Sequence, residues 1–381
     1  MSNLEVSFSE LPQAAVEIQS ALAKLPSLSA VIGFDAFIDE SIRIVATRTS
    51  PESFEPIPTL GEYGAWVTAS AGRSGLREFI SDEIVAGGCA VNMGDGLASL
   101  GLALDAFLGA GDPPHPVFHD MISKCRSHHP TGIEPGRAIV TEFKDGKLML
   151  CGFGHFADFT PAHLQNHLDS SDFAETCSRA DGIALTSWSV YPYMTDCWQH
   201  IQSHTLSDLT HRPRFFFDLA DPASRSPDDL VKMAVSLRGF ESLGPVTLSV
   251  NGNEASQLAR ALGLDEPALT LENAPLLSEK LRDTLRISEV CIHLIRGAAT
   301  ADGTSCCFVQ GPYTAHPRRS VGAGDRFNAG FFLGLLLGLS AGTRLFLGCA
   351  SSGFFVRNAM SASSTDVLNF LDAWRDGRVA S

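Results

Sequence analysis

The sequence predicts an α/β fold: an open sheet with helices on both faces and a small separate β-sheet beside it. Three observations carry this. Beyond Asp181, short apolar runs alternate with helix-length segments. An apolar hexapeptide, Ser29 to Phe34, follows a helical pattern near the start. A hairpin pattern between Arg137 and Gly152 breaks the strand–helix rhythm.

Gln13 to Leu25 reads as a helix, and Ser29 to Phe34 (SAVIGF) as a buried first strand. Ile42 to Thr47 reads as a second strand. Ser50 to Tyr63 carries Pro and Gly and is predicted to be loop. Cys89, Met93, Leu97 and Leu100 mark one face of a helix, and Leu104 to Gly109 returns to the sheet. Arg137 to Phe143 and Lys147 to Gly152 flank the turn Lys144-Asp145-Gly146. With residues 39–50, the segment 137–153 is expected to form a lid over a ligand cleft within a single domain spanning 1–381. Gly182 to Thr186, Phe215 to Asp218, Val246 to Val250 and Val290 to Ile295 are the later strands. Asp196 to Ser207, Ser226 to Leu237, Glu254 to Leu262 and Pro275 to Thr284 are the helices between them.

Phe327 to Thr343 is a charge-free run of 17 residues containing Asn328. That falls short of the roughly 20 needed to span a bilayer. Gly330, Gly334, Gly338 and Gly342 recur every fourth position, which predicts one buried helix approaching the sheet closely. The chain has 381 residues, 44% of them apolar, so a full core is available. Net charge is −15 with only 28 Lys and Arg, which argues against nucleic acid as a partner. Nine cysteines without a CxxC read as reduced thiols in a cytoplasmic protein. Met1 to Glu10 shows no leader pattern. No membrane association is expected.

Chemistry concentrates in four places. In Gly322-Ala323-Gly324-Asp325, small residues open a helix, and their amides can hold an anion. Asp325 stands next to that anion hole, placed to take a proton from a hydroxyl. The GxxxxGK[ST] loop and the HRD and DFG elements are absent. Gly87 and Gly88 precede Asn92, whose amide both donates and accepts; the glycines would let the backbone approach a small polar ligand. Asp35 and Asp39 follow the first strand and can accept from ligand hydroxyls. Asn251, Asn253 and Glu254 follow a later strand, where they can hold metal-bound water or phosphate, or simply cap a helix. Asp218 can line the same cleft. Arg225 can meet a phosphate or form a surface pair. His163/His167 and His200/His204 have i,i+4 spacing but lack the companions of a zinc site. Phe34, Phe37 and Phe153 offer faces on which a nucleobase can stack.

From roughly Ser29 to Asn358 this arrangement resembles the ribokinase-like, or PfkB, carbohydrate kinases. The likeness is carried by Gly322–Asp325 with Phe327 and Ala329-Gly330-Phe331. Gly87-Gly88 with Asn92, the turn after the first strand, and Asn251–Glu254 follow in the family's order. The resemblance implies a three-layer αβα core with a small β-sheet lid. It implies transfer of the γ-phosphoryl group of ATP, with Mg²⁺, to a sugar or nucleoside hydroxyl. Asp325 would be the base and Gly322, Ala323 and Gly324 the anion hole. Asp35, Asp39, Gly87, Gly88 and Asn92 would lie on the acceptor side. Asn251, Asn253, Glu254, Arg319 and Asn358 would serve the nucleotide, with Asn253 and Glu254 near the metal through water. Three positions depart from the family's pattern. Asn251 and Glu254 fit its NxxE spacing, but the register beginning at Asn253 puts Ser256 at the acid. Arg319-Ser320-Val321 stands where Asp-Thr-Thr is usual, and Leu294-Ile295-Arg296-Gly297 lacks the usual Thr-x-Gly. A sugar is the first expectation, a nucleoside kinase the alternative, and a non-catalytic binding module the rival class. The lid edges predict a homodimer closed through Phe143, Leu148 and Leu150.

Overall fold

The computed structural model describes residues 5–168, 172–265 and 268–379, so the leader reading at Met1 to Glu10 falls partly outside the described residues. In chain order the strands are β1 (Ser29–Phe34), β2 (Phe37–Arg48), β3 (Phe54–Pro56), β4 (Phe79–Gly87), β5 (Ala103–Leu108), β6 (Ser127–Pro130) and β7 (Gly136–Phe143). They continue with β8 (Gly146–Gly152), β9 (Gly182–Leu185), β10 (Arg214–Asp218), β11 (Val246–Asn251), β12 (Glu289–Leu294), β13 (Gly297–Ala301) and β14 (Cys306–Gln310).

The main sheet has nine strands in the order β14-β13-β12-β11-β10-β9-β1-β5-β6. From β6 to β12 neighbours run parallel; β13 and β14 return antiparallel. The central strands are continuous apolar runs because both faces are covered. Val31, Phe215 and Phe217 enter one core. Ile32, Ala184 and Phe216, on the opposite pleat, enter the other. Helices 161–167, 194–200, 227–240, 252–261 and 274–285 cover the first face; 11–21, 89–99, 323–337, 341–358 and 364–375 cover the second. These are the three αβα layers.

The charge-free run is not one helix. It splits at Gly338, whose left-handed φ of 74° ends the helix Ala323–Leu337 before Ala341–Asn358 begins. Gly330 and Gly334 face the helix Ala341–Asn358 rather than the sheet. A Cβ on Gly330 would lie 2.5 Å from Ser351 Oγ and 2.7 Å from Leu347 O.

The second sheet runs β3-β2-β7-β8, with β4 on the other edge of β2. The expected lid segments cover β2 and the hairpin but miss β3 and β4. Part of the segment expected to be loop is the strand β3 and the start of the helix Leu60–Ala69, capped by Thr59 Oγ1 accepting from the Glu62 N–H at 3.1 Å. Tyr63 of that helix stacks on Phe143, over a small core of Ile42, Ile44 and Ile57. β4 pairs antiparallel with β2 from Phe37↔Gly87 to Ile44↔Phe79, with a bulge after Ser41. Most of its side chains are exposed, so no apolar alternation reveals it in the sequence.

Candidate functional site

The parallel strands end on one side of the main sheet, where α/β proteins place their ligands. Asp35 follows β1, Thr186 and Ser187 follow β9, Asp218 ends β10, Asn251 ends β11, and His293 is the penultimate residue of β12. The starts of helices Cys89–Ser99 and Ala323–Leu337 meet there.

Gly322 is the N-cap of the second helix, with φ 84°, and no side chain caps it. Arg326 Nη1 would lie 2.7 Å from a Cβ at this position, so a side chain is excluded by space as well as by backbone. The Ala323 N–H is already bonded to Ser320 O at 3.2 Å. Among the described residues the N–H groups of Gly322, Gly324 and Asp325 have no acceptor. The open amide set therefore keeps Gly322 and Gly324 of the expected three and has Asp325 in place of Ala323.

Asn92 Nδ2 donates to Asp325 Oδ2 at 3.0 Å, joining the two helix starts across 233 residues of chain. Burial, reinforced by the charge of Asp218, pushes the Asp325 carboxyl up to about 8, against the pull of Arg326 and the Asn92 bond. Asp218 is pushed up to about 6, chiefly by burial, and Glu254 well above its usual range by burial and then Asp218. Asp218 is held by the Ala220 N–H at 3.0 Å and by Asn328 Nδ2 at 2.9 Å. Asn328 Oδ1 in turn accepts from Ser249 Oγ at 2.6 Å.

On the acceptor side the glycines have a different role from the one expected. A Cβ on Gly87 would overlap the Asp39 carboxylate, and one on Gly88 (φ 99°) would lie 2.7 Å from Asp35 Oδ2. They make room for the protein's own acids. Asp35 is fully buried and accepts from the N–H groups of Cys89 (2.7 Å) and Ala90 (2.9 Å) and from Thr186 Oγ1 (3.0 Å). It anchors the start of the Cys89–Ser99 helix instead of standing free. Asp39 lies on β2 opposite Val85 and Ala138, and burial pushes its carboxyl up to about 6. Arg319 pairs with Glu83 of β4, tying the segment before the anion hole to the second sheet.

Asn251 and Glu254 form a reciprocal cap. Asn251 Oδ1 accepts from the N–H groups of Asn253 (2.9 Å) and Glu254 (3.0 Å), while Glu254 accepts from Asn251 N (2.8 Å) and Nδ2 (2.7 Å). The buried acid of this turn is Glu254, and Ser256 is half-buried on the same helix. Asn253 is exposed, and its side chain has no hydrogen bond among the described residues. Asn358 is also exposed and donates to Phe354 O of its own helix at 2.8 Å, so its amide is engaged at the helix end. Among the described residues no three His, Cys, Asp or Glu side chains converge as a direct metal cage.

The aromatic platforms dissolve into the core. Phe34 is fully buried and packs on Phe159 and Phe173; Phe37 packs on Phe153 and Phe156. Arg225 lies 4.4 Å over the Trp188 ring and donates to Tyr191 O and Pro192 O, which removes it as a free phosphate contact. His163 and His167 stack on each other, and His163 Nε2 bonds to Thr131 O at 2.6 Å, a structural use. Arg326 and His293 were not singled out in the sequence. Arg326 donates to Asp95 Oδ2 and Ser361 Oγ, each at 3.0 Å, in the first turn of the helix Ala323–Leu337. Its place directly after Asp325 was the available signal. His293 had none, because it sits inside an apolar strand.

The prokaryotic ketohexokinase family model matches residues 12–374. A ketohexokinase of Haloferax volcanii is 27% identical over 351 residues, covering 91% of each chain. Among solved structures, a ribokinase from Thermotoga maritima superposes with a TM-score of 0.61 at 16% identity, covering 91% of this chain and 99% of that one. A putative ribokinase II from E. coli, solved with ATP and Mg²⁺, gives 0.59 at 14% identity and the same coverages. These structural likenesses establish the ribokinase-like fold.

Proposed function

The chain belongs to the prokaryotic ketohexokinase family, and from that premise we propose that it transfers the γ-phosphoryl group of ATP to a hydroxyl of a ketohexose, with Asp325 as the base. The observation that carries this reading is the Asn92–Asp325 hydrogen bond at the mouth of an uncapped helix N-terminus. It sets a proton acceptor beside a row of open amides. Asp325 takes the proton of the attacking hydroxyl, and the open amides of Gly322, Gly324 and Asp325 stabilise charge on the moving phosphoryl group. Asp39, Gly88 and Asn92 serve the sugar side, with Gly87 giving Asp39 its room and Asp35 holding the helix start. Arg319 serves the phosphates and, through Glu83, links them to the second sheet, which acts as the lid.

Mg²⁺ fits this site. Asp218, Glu254 and Asp325 are buried acids whose carboxyls are pushed up first by burial and then by the charge of neighbouring acids, so ionising them together is costly. A hard cation that keeps its waters and the ATP phosphates as ligands relieves that charge without a protein cage. Glu254 would hold it through water, with Asn253 at the rim. When bound, the ion supplies charge neutralisation on the phosphates.

Two observations favour a sugar over a nucleoside. The candidate stacking rings Phe34 and Phe37 are core residues, and the acceptor side is lined by Asp39 and Asn92. ADP release across ketohexoses, aldohexoses and nucleosides tests the reading. Turnover of a nucleoside with no sugar turnover refutes the substrate class. ATP·Mg²⁺ binding with no turnover of any substrate favours a binding module.

The second sheet leaves Ile84 and Leu150 each 56% exposed on one face, as the pairings Glu40↔Ile84, Glu40↔Ile139 and Ile139↔Leu150 require. These residues, in place of Phe143, which the helix Leu60–Ala69 covers, support a homodimer through the lid. A concentration-independent monomer mass in light scattering refutes it. The nine unpaired cysteines support a cytoplasmic setting.

A further inference from the structure

We propose that His293 is a phosphoryl-contacting residue: its imidazole donates one N–H to an oxygen of the phosphoryl group seated at the start of the helix Ala323–Leu337. The inference rests on the reading that this helix start is the phosphate seat.

The position follows from the sheet. His293 pairs with Asn251 across β11 and β12, so it stands at the end of the strand beside the buried Asn251–Glu254 cap. Its ring lies against Gly324. A Cβ there would be 2.9 Å from His293 Cε1, with Nε2 at 3.6 Å and Nδ1 at 3.7 Å. The ring centroid is 5.3 Å from that of Phe327, one turn further along the same helix. The imidazole is thus clamped between the strand end and the first helical turn, with its two nitrogens flanking the edge that touches Gly324.

No protein group bonds either ring nitrogen among the described residues, and the half-buried ring is not sealed from solvent, so its polar edge is open to a ligand. Every neutral imidazole carries one donor and one acceptor. Beside it, the Gly324 and Asp325 N–H groups also lack acceptors. The ring and the two open amides thus share the start of one helix, a place for an anion with several oxygens. Burial holds the ring pKa near 4, so the ring is uncharged at neutral pH and keeps only one proton to give. An uncharged donor at this spot adds a directed hydrogen bond without forming an ion pair with Asp325 or Glu254.

A merely structural ring would serve by filling space against Gly324 and Phe327. Variants of the full chain separate the two roles: His293→Phe keeps a ring without a donor, His293→Ala removes both, and His293→Gln keeps a donor without a ring. The readouts are turnover, the sugar KM, melting temperature, and calorimetric affinity for a non-hydrolysable ATP analogue with Mg²⁺. Loss of one donor to a transition-state oxyanion costs about 10²–10³-fold in turnover. We expect kcat to fall about 10²-fold in the Phe and Ala variants with little change in sugar KM. Analogue affinity should fall about tenfold in the same two, with at least tenfold recovery of kcat in the Gln variant. Wild-type turnover and analogue affinity in the Phe variant overturn the inference, as does a Gln variant no faster than Ala. Either result leaves the functional reading standing. A wild-type chain that neither binds the analogue nor turns over any sugar removes that reading, and the inference with it.

Discussion

Replacing Asp325 with Asn should abolish most activity and raise stability. Asparagine keeps an oxygen for the Asn92 N–H, so the helix–helix bond at this point survives. It cannot take a proton from a hydroxyl, and loss of a general base costs about 10²–10⁴-fold in rate. The stability effect follows from the carboxyl's displacement from 3.8 to about 8, caused by burial and then Asp218. The folded state binds this proton more tightly than the unfolded state. The acid's contribution is therefore most favourable below about pH 4 and is lost as pH rises towards 8. Each tenfold step corresponds to about 1.4 kcal/mol, so at pH 7, some three steps above the reference, the penalty is about 4 kcal/mol at most. Asparagine removes it. Urea unfolding at pH 5, 7 and 9, with coupled ADP release on the same samples, measures both effects. The stability gain should be smallest at pH 5 and largest at pH 9. Wild-type turnover in the variant, or a gain that does not change with pH, refutes the reasoning.

For the wild type, kcat/KM for the sugar should rise with pH and level off near pH 8, since only the ionised Asp325 of the free enzyme accepts a proton; a flat profile from pH 6 to 9 contradicts this. Gly88→Ala places a Cβ 2.7 Å from Asp35 Oδ2 at φ 99°, and should cost about 2 kcal/mol or more in denaturant unfolding while raising the sugar KM. Asn251→Ala removes the cap of the helix Gly252–Ala261 and leaves Glu254 without its main partner. The expected losses are about 1 kcal/mol for the cap and about 1–3 kcal/mol for the buried acid. An unchanged urea midpoint would show that the reciprocal cap carries no stability.

Much of this protein is legible where the information is local. SAVIGF is a central strand because an apolar run that short must be covered on both faces. The hairpin forms where the polar Lys144-Asp145-Gly146 interrupts two strand patterns, with Lys144 and Asp145 as the turn and Gly146 opening β8. The small residues of Gly322–Asp325 open a helix and leave amides free, and that too is written in the chain. The sequence misses elements that lack a local signature. β4 is a mostly exposed strand, with Ser81, Asp82 and Glu83 interrupting its apolar residues, that exists because β2 offers it an edge. β13 and β14 extend the sheet antiparallel beyond the last expected strand, and the charge-free run breaks at a glycine whose φ no pattern reveals.

By itself the sequence determined the layer order, the position of the glycine-rich helix start, and which acid stands beside it. Tertiary structure decided what each polar group is free to do. Asp35 is engaged in holding a helix start, Asn358 folds back on its own helix, Gly87 and Gly88 clear space for carboxylates, and His293 arrives at the site from within an apolar strand. The physical reason is that availability and acidity are properties of surroundings. Burial first, and then the charge of Asp218 more than a hundred residues away in the chain, pushes the Asp325 carboxyl up to about 8. No segment of sequence read alone carries that energy.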